Sequence, residues 1–302
     1  MPAGPGARLG HNRGMGRWRT SARSVVTDVG LADAAALCAY DPVGTVLAAT
    51  RIEAALAAGA DRAGATIWGM QRGGVLDALC WAGANLVPVC DPEDSEALDA
   101  FADAARRQGR RCSSIVGDAR AVLGLWERLA DAWGPARDIR PDQPSLVIDR
   151  PADVAPDPAV RMARPEELPL LLPASVAMFV EEVGYSPLTG SPGAYEARVR
   201  SLLDEGRTFV RIEDGPTGPE VVFKADLGAV TRQVAQVQGV WVTPRLRGQR
   251  LSEHGMAAVV AHTLGRVAPL VSLYVNAYNA PALACYRRVG FRQVGTYATV
   301  LF

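Results

Sequence analysis

The sequence contains very little lysine and no long apolar run. Lys224 is the single lysine among 302 residues, so arginine carries nearly all of the positive charge, which we interpret as a coding bias. Acidic and basic residues balance at 32 each, which predicts no nucleic-acid partner. No apolar run approaches the ~20 residues of a membrane-spanning helix, so no membrane partner is predicted.

The chain also lacks paired cysteines and a secretory signal. Its five cysteines form no Cys-x-x-Cys spacing, so the sequence predicts no metal site. An odd cysteine count without a disulfide framework is typical of a reducing compartment, which predicts a cytoplasmic location. Residues 1–24 are rich in glycine and arginine and have no apolar segment, so we expect a disordered tail rather than a signal peptide.

Residues 25–149 predict a first domain in which helices and strands alternate. Arg72-Gly73-Gly74 has the glycines of a hairpin turn. Asp91 followed by Pro92 is typical of a helix start, and Gly109 of a helix end. The predicted elements are helices over 31–40, 46–58, 91–108 and 119–133, and strands over 66–70, 76–81, 85–90 and 112–116.

Residues 150–158, RPADVAPDP, are polar and rich in proline and predict a linker to a second domain, 159–302. The second domain repeats the order of the first. Its predicted elements are strands over 160–163, 208–212, 220–227 and 234–242, and helices over 166–183, interrupted near Pro173, and 195–204.

The stretch from Gly239 to Phe291 predicts a strand, a polar turn, a helix, a strand and a second helix. The helix after Gly248 would present unpaired N–H groups and a positive dipole end, close to Arg245, Arg247 and Arg250. Such a turn can hold a pyrophosphate. The alternative is an ordinary strand-to-helix turn with exposed arginines.

Two motifs in this stretch carry a family resemblance. Arg247-Gly248-Gln249-Arg250-Leu251-Ser252 occupies a Gln/Arg-x-x-Gly-x-Gly/Ala loop, and Asn-x-x-Ala-x-x-x-Tyr-x-x-x-Gly-Phe matches Asn279, Ala282, Tyr286, Gly290 and Phe291. The last half of the chain therefore resembles the GCN5-related N-acetyltransferase (GNAT) family. The loop departs from the family at Arg250, where glycine is expected, and at Ser252. A left-handed backbone would be strained at Arg250, although its guanidinium could clamp phosphate.

The first half resembles the domain of unknown function that precedes GNAT domains in actinobacterial proteins. Four motifs carry this resemblance: Trp68-Gly69, Trp81 to Pro88, Arg110 to Gly117 and Trp133 to Arg137. Because both halves predict the same element order, we expect an α/β (α+β) fold of two tandem GNAT-like lobes, each a mixed sheet flanked by helices, with a degenerate N-terminal lobe. Its strand-to-helix junction, residues 87–95, is acidic and lacks glycine, so this lobe is not expected to bind CoA.

The resemblance implies a role for each matching residue. Backbone groups of Val240 and Val242 would hold the thioester, the amides from Gly248 to Glu253 would face the pyrophosphate, and Asn279 would contact the cofactor arm. Tyr286 would protonate the departing thiolate, with a packed core tyrosine as the alternative. The implied cofactor-binding residues are Val240, Val242, Arg247, Gly248, Gln249, Arg250, Leu251, Ser252, Glu253 and Asn279.

The general base is not given by a motif. Many relatives place a glutamate where this chain has Tyr274. Carboxylates elsewhere are Glu181, Glu182 and Asp226, and of these we choose Glu182 as the catalytic residue.

The resemblance implies an acetyl-CoA-dependent N-acetyltransferase that modifies a primary amine by direct attack on the thioester. The acceptor is left open among a small molecule, a protein N-terminus and a lysine side chain, and the oligomeric state is left open too. The alternative is a catalytically silent CoA-binding or scaffold protein, in which Arg250 marks a decayed loop.

Overall fold

A computed structural model describes residues 24–59, 65–189, 192–215 and 218–302. The tail predicted for residues 1–24 lies outside these residues, apart from Ser24, which begins the first strand. Within the described chain no helix is both long and apolar enough to cross a membrane.

The elements of the first half follow the order predicted from the sequence, except that its first and last strands were not predicted. They are β1 (Ser24–Val26), α1 (Leu31–Cys38), α2 (Val46–Ala57), β2 (Thr66–Arg72), β3 (Val75–Ala82), β4 (Asn85–Val89), α3 (Ser95–Gln108), β5 (Ser114–Asp118), α4 (Ala119–Trp133) and β6 (Asp138–Ile148). Gly73 and Gly74 both have positive φ, 60° and 84°, and turn the β2–β3 hairpin as predicted.

The second half repeats this order. Its elements are β7 (Arg161–Met162), α5 (Leu168–Val183), α6 (Pro192–Asp204), β8 (Thr208–Gly215), β9 (Gly218–Val230), β10 (Val234–Val242), α7 (Leu251–Arg266), β11 (Leu270–Tyr274), α8 (Ala280–Val289) and β12 (Arg292–Leu301). The prediction of an α/β fold with two tandem lobes is confirmed, and the two lobes share one sheet.

That sheet has twelve strands in the order β1-β2-β3-β4-β5-β12-β6-β11-β10-β9-β8-β7. In the described chain only the pairs β4–β5 and β10–β11 are parallel. Each lobe therefore carries one parallel pair, and a helix, α3 or α7, connects its two strands.

The strands that precede and end the second half are exchanged between the lobes. β6 pairs with β11 of the second lobe, and β12 pairs with β5 of the first lobe as well as with β6. Leu146 and Ile148 of β6 are buried in the core beneath α7 and α8, whereas Ala298 and Val300 of β12 are buried beneath α3 and α4. The domain division at residues 149 and 159 stays a prediction, and the sheet runs across it.

Residues 150–158 follow β6 and are held against the second lobe. The Asp153 N–H donates to the carbonyl of Val289, and the Asp157 N–H donates to that of His254. The buried Asp157 carboxylate accepts a hydrogen bond from Arg211 at 2.7 Å. These contacts fix the path by which the chain crosses from one lobe to the other.

Two helix predictions were wrong in detail. The helix expected from Asp91 begins at Ser95, because Asp94 accepts the Ala97 N–H at 3.0 Å and is the N-cap, while Asp91 accepts the Glu93 N–H in a preceding turn. The interruption expected near Pro173 is absent from α5. Pro173 is the sixth residue of that helix, so its missing N–H removes one bond next to the first turn.

Candidate functional site

The parallel strands β10 and β11 separate after three residue pairs. Val234, Ala235 and Gln236 pair with Leu270, Val271 and Ser272, and both strands then continue without pairing to each other. The gap opens toward the carboxyl ends of the two strands, which is where open α/β sheets place their ligands.

A β-bulge in β10 turns its backbone into this gap. The register with β9 shifts between Gln238 and Trp241, so Gly239 and Val240 lack a partner residue in the described sheet. Gly239 has φ +58°, and a Cβ there would lie 2.9 Å from a carboxylate oxygen of Asp226. A bulge of this kind requires glycine and leaves the backbone of Val240 free to contact a ligand.

A buried ion pair supports the bulge from below. Lys224 is fully buried, and its ammonium lies 2.6 Å from the Asp226 carboxylate and donates to the Gly239 carbonyl at 3.1 Å. Asp226 also accepts from the Thr208 hydroxyl at 2.9 Å. Because a buried charge is costly unless it is paired and hydrogen-bonded, these contacts are what make Lys224 tolerable in the core.

The gap leads into a cavity of about 520 Å³ between β10, β11, α5 and α6. Six of the residues proposed from the sequence as site or base candidates line it. They are Glu181, Glu182, Asp226, Val240, Asn279 and Tyr286. The fold therefore places residues that are more than 100 positions apart in the sequence around one cavity.

Tyr286 is a buried side chain of α8 that faces this cavity. Its ring packs edge-on against Phe291 with centroids 5.9 Å apart, and its hydroxyl makes no hydrogen bond to the described residues. Burial raises the pKa of Tyr286 well above the usual value of 10, and the nearby Cys285 and Glu182 act in the same direction. The phenol is therefore protonated at neutral pH and is a weaker acid than an ordinary tyrosine side chain.

The three candidate carboxylates differ in how firmly each is paired. Glu181 lies 2.7 Å from Arg247 and also accepts from the indole N–H of Trp241 at 3.3 Å. Asp226 is held by Lys224 as described. Glu182 is half-exposed, and its carboxylate has only Arg140 at 3.7 Å. Glu182 is thus the carboxylate with the weakest competing partner.

The turn between β10 and α7 presents a run of free backbone donors. The N–H groups of residues 248–252 make no hydrogen bond to the described residues, whereas the Glu253 N–H donates to the Arg250 carbonyl at 3.0 Å. Gly248 has φ +77° and Arg250 has φ +63°. Consecutive free amides at a helix N-terminus form an anion site, which fits the pyrophosphate loop proposed from the sequence.

Arg250 is the single non-glycine residue with positive φ in the described chain. Its guanidinium lies 2.7 Å from the carboxylate of Glu253, which is itself buried and also paired with Arg288 of α8 at 2.7 Å. Arg250 therefore fixes the start of α7 to α8 through Glu253, at the cost of a strained backbone.

The other predicted cofactor residues also have contacts within the fold. The guanidinium of Arg247 donates to the Val242 carbonyl at 3.0 Å and to both oxygens of Glu181. Asn279 is the N-cap of α8 and accepts the Ala282 N–H at 3.2 Å, so its helix-cap role is real. Gln249 is exposed, and Leu251 and Ser252 form the half-buried first turn of α7.

Comparison with known proteins adds to this geometry. Residues 193–291 match the model of the acetyltransferase (GNAT) family, and residues 65–171 match that of a domain of unknown function, DUF4081. The chain carries a GNAT acetyltransferase domain. The GNAT match contains the gap, the bulge, the loop and Tyr286, whereas the DUF4081 match runs through β6 and the linker into α5.

The chain is also similar in sequence to one curated relative, and two solved structures share its fold. The chain is 31% identical over 175 residues to a mycothiol acetyltransferase of Streptomyces bingchenggensis, covering 54% of this chain and 51% of the relative. The chain thus spans about half the length of that relative. A GCN5-related N-acetyltransferase from Sphaerobacter thermophilus has a TM-score of 0.56 at 19% identity, covering 92% of this chain and 94% of the other. A tandem GNAT protein from the clavulanic acid biosynthesis pathway has a TM-score of 0.51 at 14% identity, covering 93% and 98%.

Two residues of the GNAT domain site were missed by the sequence reasoning. Lys224 was interpreted as a remnant of coding bias, although a lone lysine inside the apolar run VVFKADL is itself a signal of a paired, buried cation. Arg198 of α6 also lines the cavity. No motif marks it, because its position depends on how α6 packs across the sheet.

Proposed function

We propose that this protein transfers the acetyl group of acetyl-CoA to a primary amine. The observation that carries the proposal is the coincidence of three features in one GNAT domain: the gap between β10 and β11, the free amides of residues 248–252 and the Tyr286 hydroxyl in the cavity into which the gap leads. The name of the curated relative, an acetyltransferase, supports the acetyl group as the one transferred.

Acetyl-CoA fits the residues as a co-substrate. The five free amides and the positive end of α7 would hold the pyrophosphate, and Arg247 would add charge after leaving Glu181. The backbone of Val240, which has no partner residue in β9, would bind the pantetheine end beside the cavity. When bound, acetyl-CoA supplies an activated acyl carbon and a thiolate leaving group.

Two residues of the cavity, Glu182 and Tyr286, would each carry out one of the two proton transfers. Glu182 takes a proton from the ammonium of the acceptor, and the free amine attacks the thioester carbonyl. As the carbon–sulfur bond breaks, the Tyr286 hydroxyl donates a proton toward the sulfur. The products are an N-acetylated acceptor and CoA thiol, and Tyr286 recovers its proton from solvent or from the acceptor nitrogen.

Glu182 is favoured as the base because its carboxylate is the least engaged of the three. A base must be free to contact the ammonium of the acceptor, whereas Glu181 is already paired with Arg247 at 2.7 Å and Asp226 with Lys224 at 2.6 Å. Asp226 is better placed to support the bulge through Lys224.

The proposal is tested by following thiol release from acetyl-CoA with a panel of primary amines, and by detecting the N-acetyl product by mass spectrometry. We expect amine-dependent release above the rate of thioester hydrolysis without amine. Glu182→Gln should lower the turnover, with Glu166→Gln, an exposed residue outside the cavity, as the matched control. CoA binding without any transfer would instead favour the silent, CoA-binding alternative.

A further inference from the structure

Arg198 is an exposed residue of α6 that lines the cavity. It follows Tyr195 by one helical turn on α6, and Tyr195 is held by a hydrogen bond from its hydroxyl to the Ser175 carbonyl at 2.8 Å and by edge-on packing against Phe179. The next residue, Val199, is buried in the core between α5, α6 and the sheet. Since both neighbours are anchored, the guanidinium of Arg198 extends from a rigid element.

The charges that line the cavity are unevenly paired. Four ionisable acids and bases other than tyrosine line it: Glu181, Glu182, Asp226 and Arg198. Each carboxylate has a cationic partner, respectively Arg247, Arg140 and Lys224. Arg198 makes no hydrogen bond or ion pair with any residue that the structure describes, so it is the one charge of the cavity wall left without a counter-charge.

The charge of Arg198 acts on two tyrosines that line the cavity. Burial raises the pKa of Tyr274 to about 12, and Arg198 acts in the opposite direction on this residue and on Tyr195. Arg198 and Arg200 are both exposed residues of α6, but Arg200 is paired with Glu196 at 2.9 Å. Arg198 differs from Arg200 in that it lines the cavity and has no ion-pair partner among the described residues.

We propose, on the basis of the proposed function, that Arg198 binds an anionic group of the acceptor, so that the acceptor is a primary amine that also carries a carboxylate. A planar guanidinium matches the two oxygens of a carboxylate. One free cation balances one negative charge, whereas a phosphate at neutral pH would bring up to two. The ammonium of the same acceptor would lie toward Glu182, which gives the two ends of the molecule opposite partners.

The test measures binding separately from catalysis. Protein saturated with CoA is titrated by calorimetry with N-acetyl amino acids of increasing separation between nitrogen and carboxylate, and with the carboxamide of each. These probes resemble the products, and the carboxamides differ from them only in the anionic group. We expect at least one acid to bind about tenfold more tightly than its carboxamide, the effect of one charge-assisted contact.

The variants assign this preference to one side chain. Arg198→Gln should bring the acid and the carboxamide to equal affinity, Arg198→Lys should keep part of the preference, and the control Arg200→Gln should keep all of it. CoA affinity should be the same in all of these proteins. Equal affinity in the unaltered protein across the series, no binding of either probe, or a preference that survives in Arg198→Gln would overturn the assignment. Thiol release tests the proposed function independently, since acid-selective binding without transfer would reject only that function.

Discussion

At the scale of the residue, Tyr286 has a hydroxyl that the fold does not use. The ring is buried against Phe291, but the oxygen faces the cavity and has no hydrogen-bond partner in the described chain. Tyr286→Phe should therefore leave the melting temperature and CoA affinity nearly unchanged and lower the turnover by ~10²-fold, the usual contribution of one positioned acid. Because the pKa of Tyr286 is raised, the phenol stays protonated below pH 10 and should add no alkaline limb to the pH–rate profile. Unchanged turnover in the Phe variant would remove Tyr286 from the mechanism.

Arg250 combines an unfavourable backbone with a favourable side chain, and two substitutions separate them. Arg250→Ala and Arg250→Gly both remove the guanidinium and leave Glu253 with Arg288, but only alanine keeps a Cβ at φ +63°. We expect Arg250→Gly to be more stable than Arg250→Ala by about 1 kcal/mol, measured by denaturant unfolding. Equal stability of the two would mean that the turn relaxes and stores no strain.

The same pair of variants separates the two sequence-based hypotheses for Arg250. The guanidinium is engaged by Glu253, and a phosphate clamp would have to draw it away from a buried carboxylate. If Arg250 nevertheless contacts phosphate, both variants should lose CoA affinity. If it is a decayed glycine, Arg250→Gly should bind CoA more tightly than the unaltered protein.

At the scale of the element, the start of α5 depends on one buried carboxylate. Glu167 accepts hydrogen bonds from the guanidinium groups of Arg161 and Arg164 and from the Arg164 N–H. The Arg161 hydrogen bond is the main cause that lowers the pKa of Glu167 to about 2, from 4.5. A carboxyl group with a lowered pKa in the folded state contributes stability above pH 4.5, and this contribution is lost as the pH falls toward 2.

Glu167→Gln should accordingly destabilise the protein by roughly 2–3 kcal/mol at pH 7. The difference from the unaltered protein should shrink as the pH is lowered from 5 to 3, as measured by unfolding in denaturant at each pH. Glu166→Gln, whose carboxylate is exposed and lies beside Arg164, is the matched control and should cost less than 1 kcal/mol. A pH-independent difference would mean that the glutamine loses packing and not charge.

Local signals predicted most elements, and the exceptions are strands whose place depends on distant pairing. Helix α7 was found from apolar spacing, and the end of α3 and the β2–β3 hairpin were found from their glycines. β6 was not predicted, because Pro141 and Pro144 argue against a central strand. In the structure Pro144 pairs with Thr296 beside an irregularity between Gln293 and Gly295, which accommodates the missing N–H. β12 was not predicted either, since a terminal strand between two lobes has no sequence motif.

The residues of the candidate site differ in the same way, because some are marked by local signals and others depend on distant contacts. Tyr286 and Val240, which the motifs mark, both line one cavity, because each lies in a segment whose spacing is local, and their roles stay predictions. Lys224 and Arg198 could not be assigned from the chain alone. The first acts through a carbonyl 15 residues away, and the second enters the cavity only because α6 crosses the sheet.

At the scale of the whole molecule, the exchange of β6 and β12 makes the two lobes interdependent. The GNAT gap is bounded by β11, and the far side of β11 is covered by β6 from before the linker. Leu146 and Ile148 of β6 complete the core under α7, each worth about 1.5–3 kcal/mol of buried apolar surface. In the first lobe, the turn before α3 carries Asp91 and Asp94, whose negative charges would repel a pyrophosphate. We therefore predict that CoA binds to the second lobe only, at one site per chain.

Cleavage of the linker tests this interdependence on the complete protein. A protease recognition sequence inserted between Pro151 and Ala152, in the exposed stretch after β6, allows the folded chain to be cut. We expect the two pieces to co-elute on gel filtration and to retain one CoA site by calorimetry, because β6 remains inserted between β11 and β12 after the cut. A separately produced fragment of residues 150–302 lacks β6 and should not bind CoA. Full affinity in that fragment would show that residues 159–302 form the functional domain alone, and that the exchanged strand is dispensable for the site.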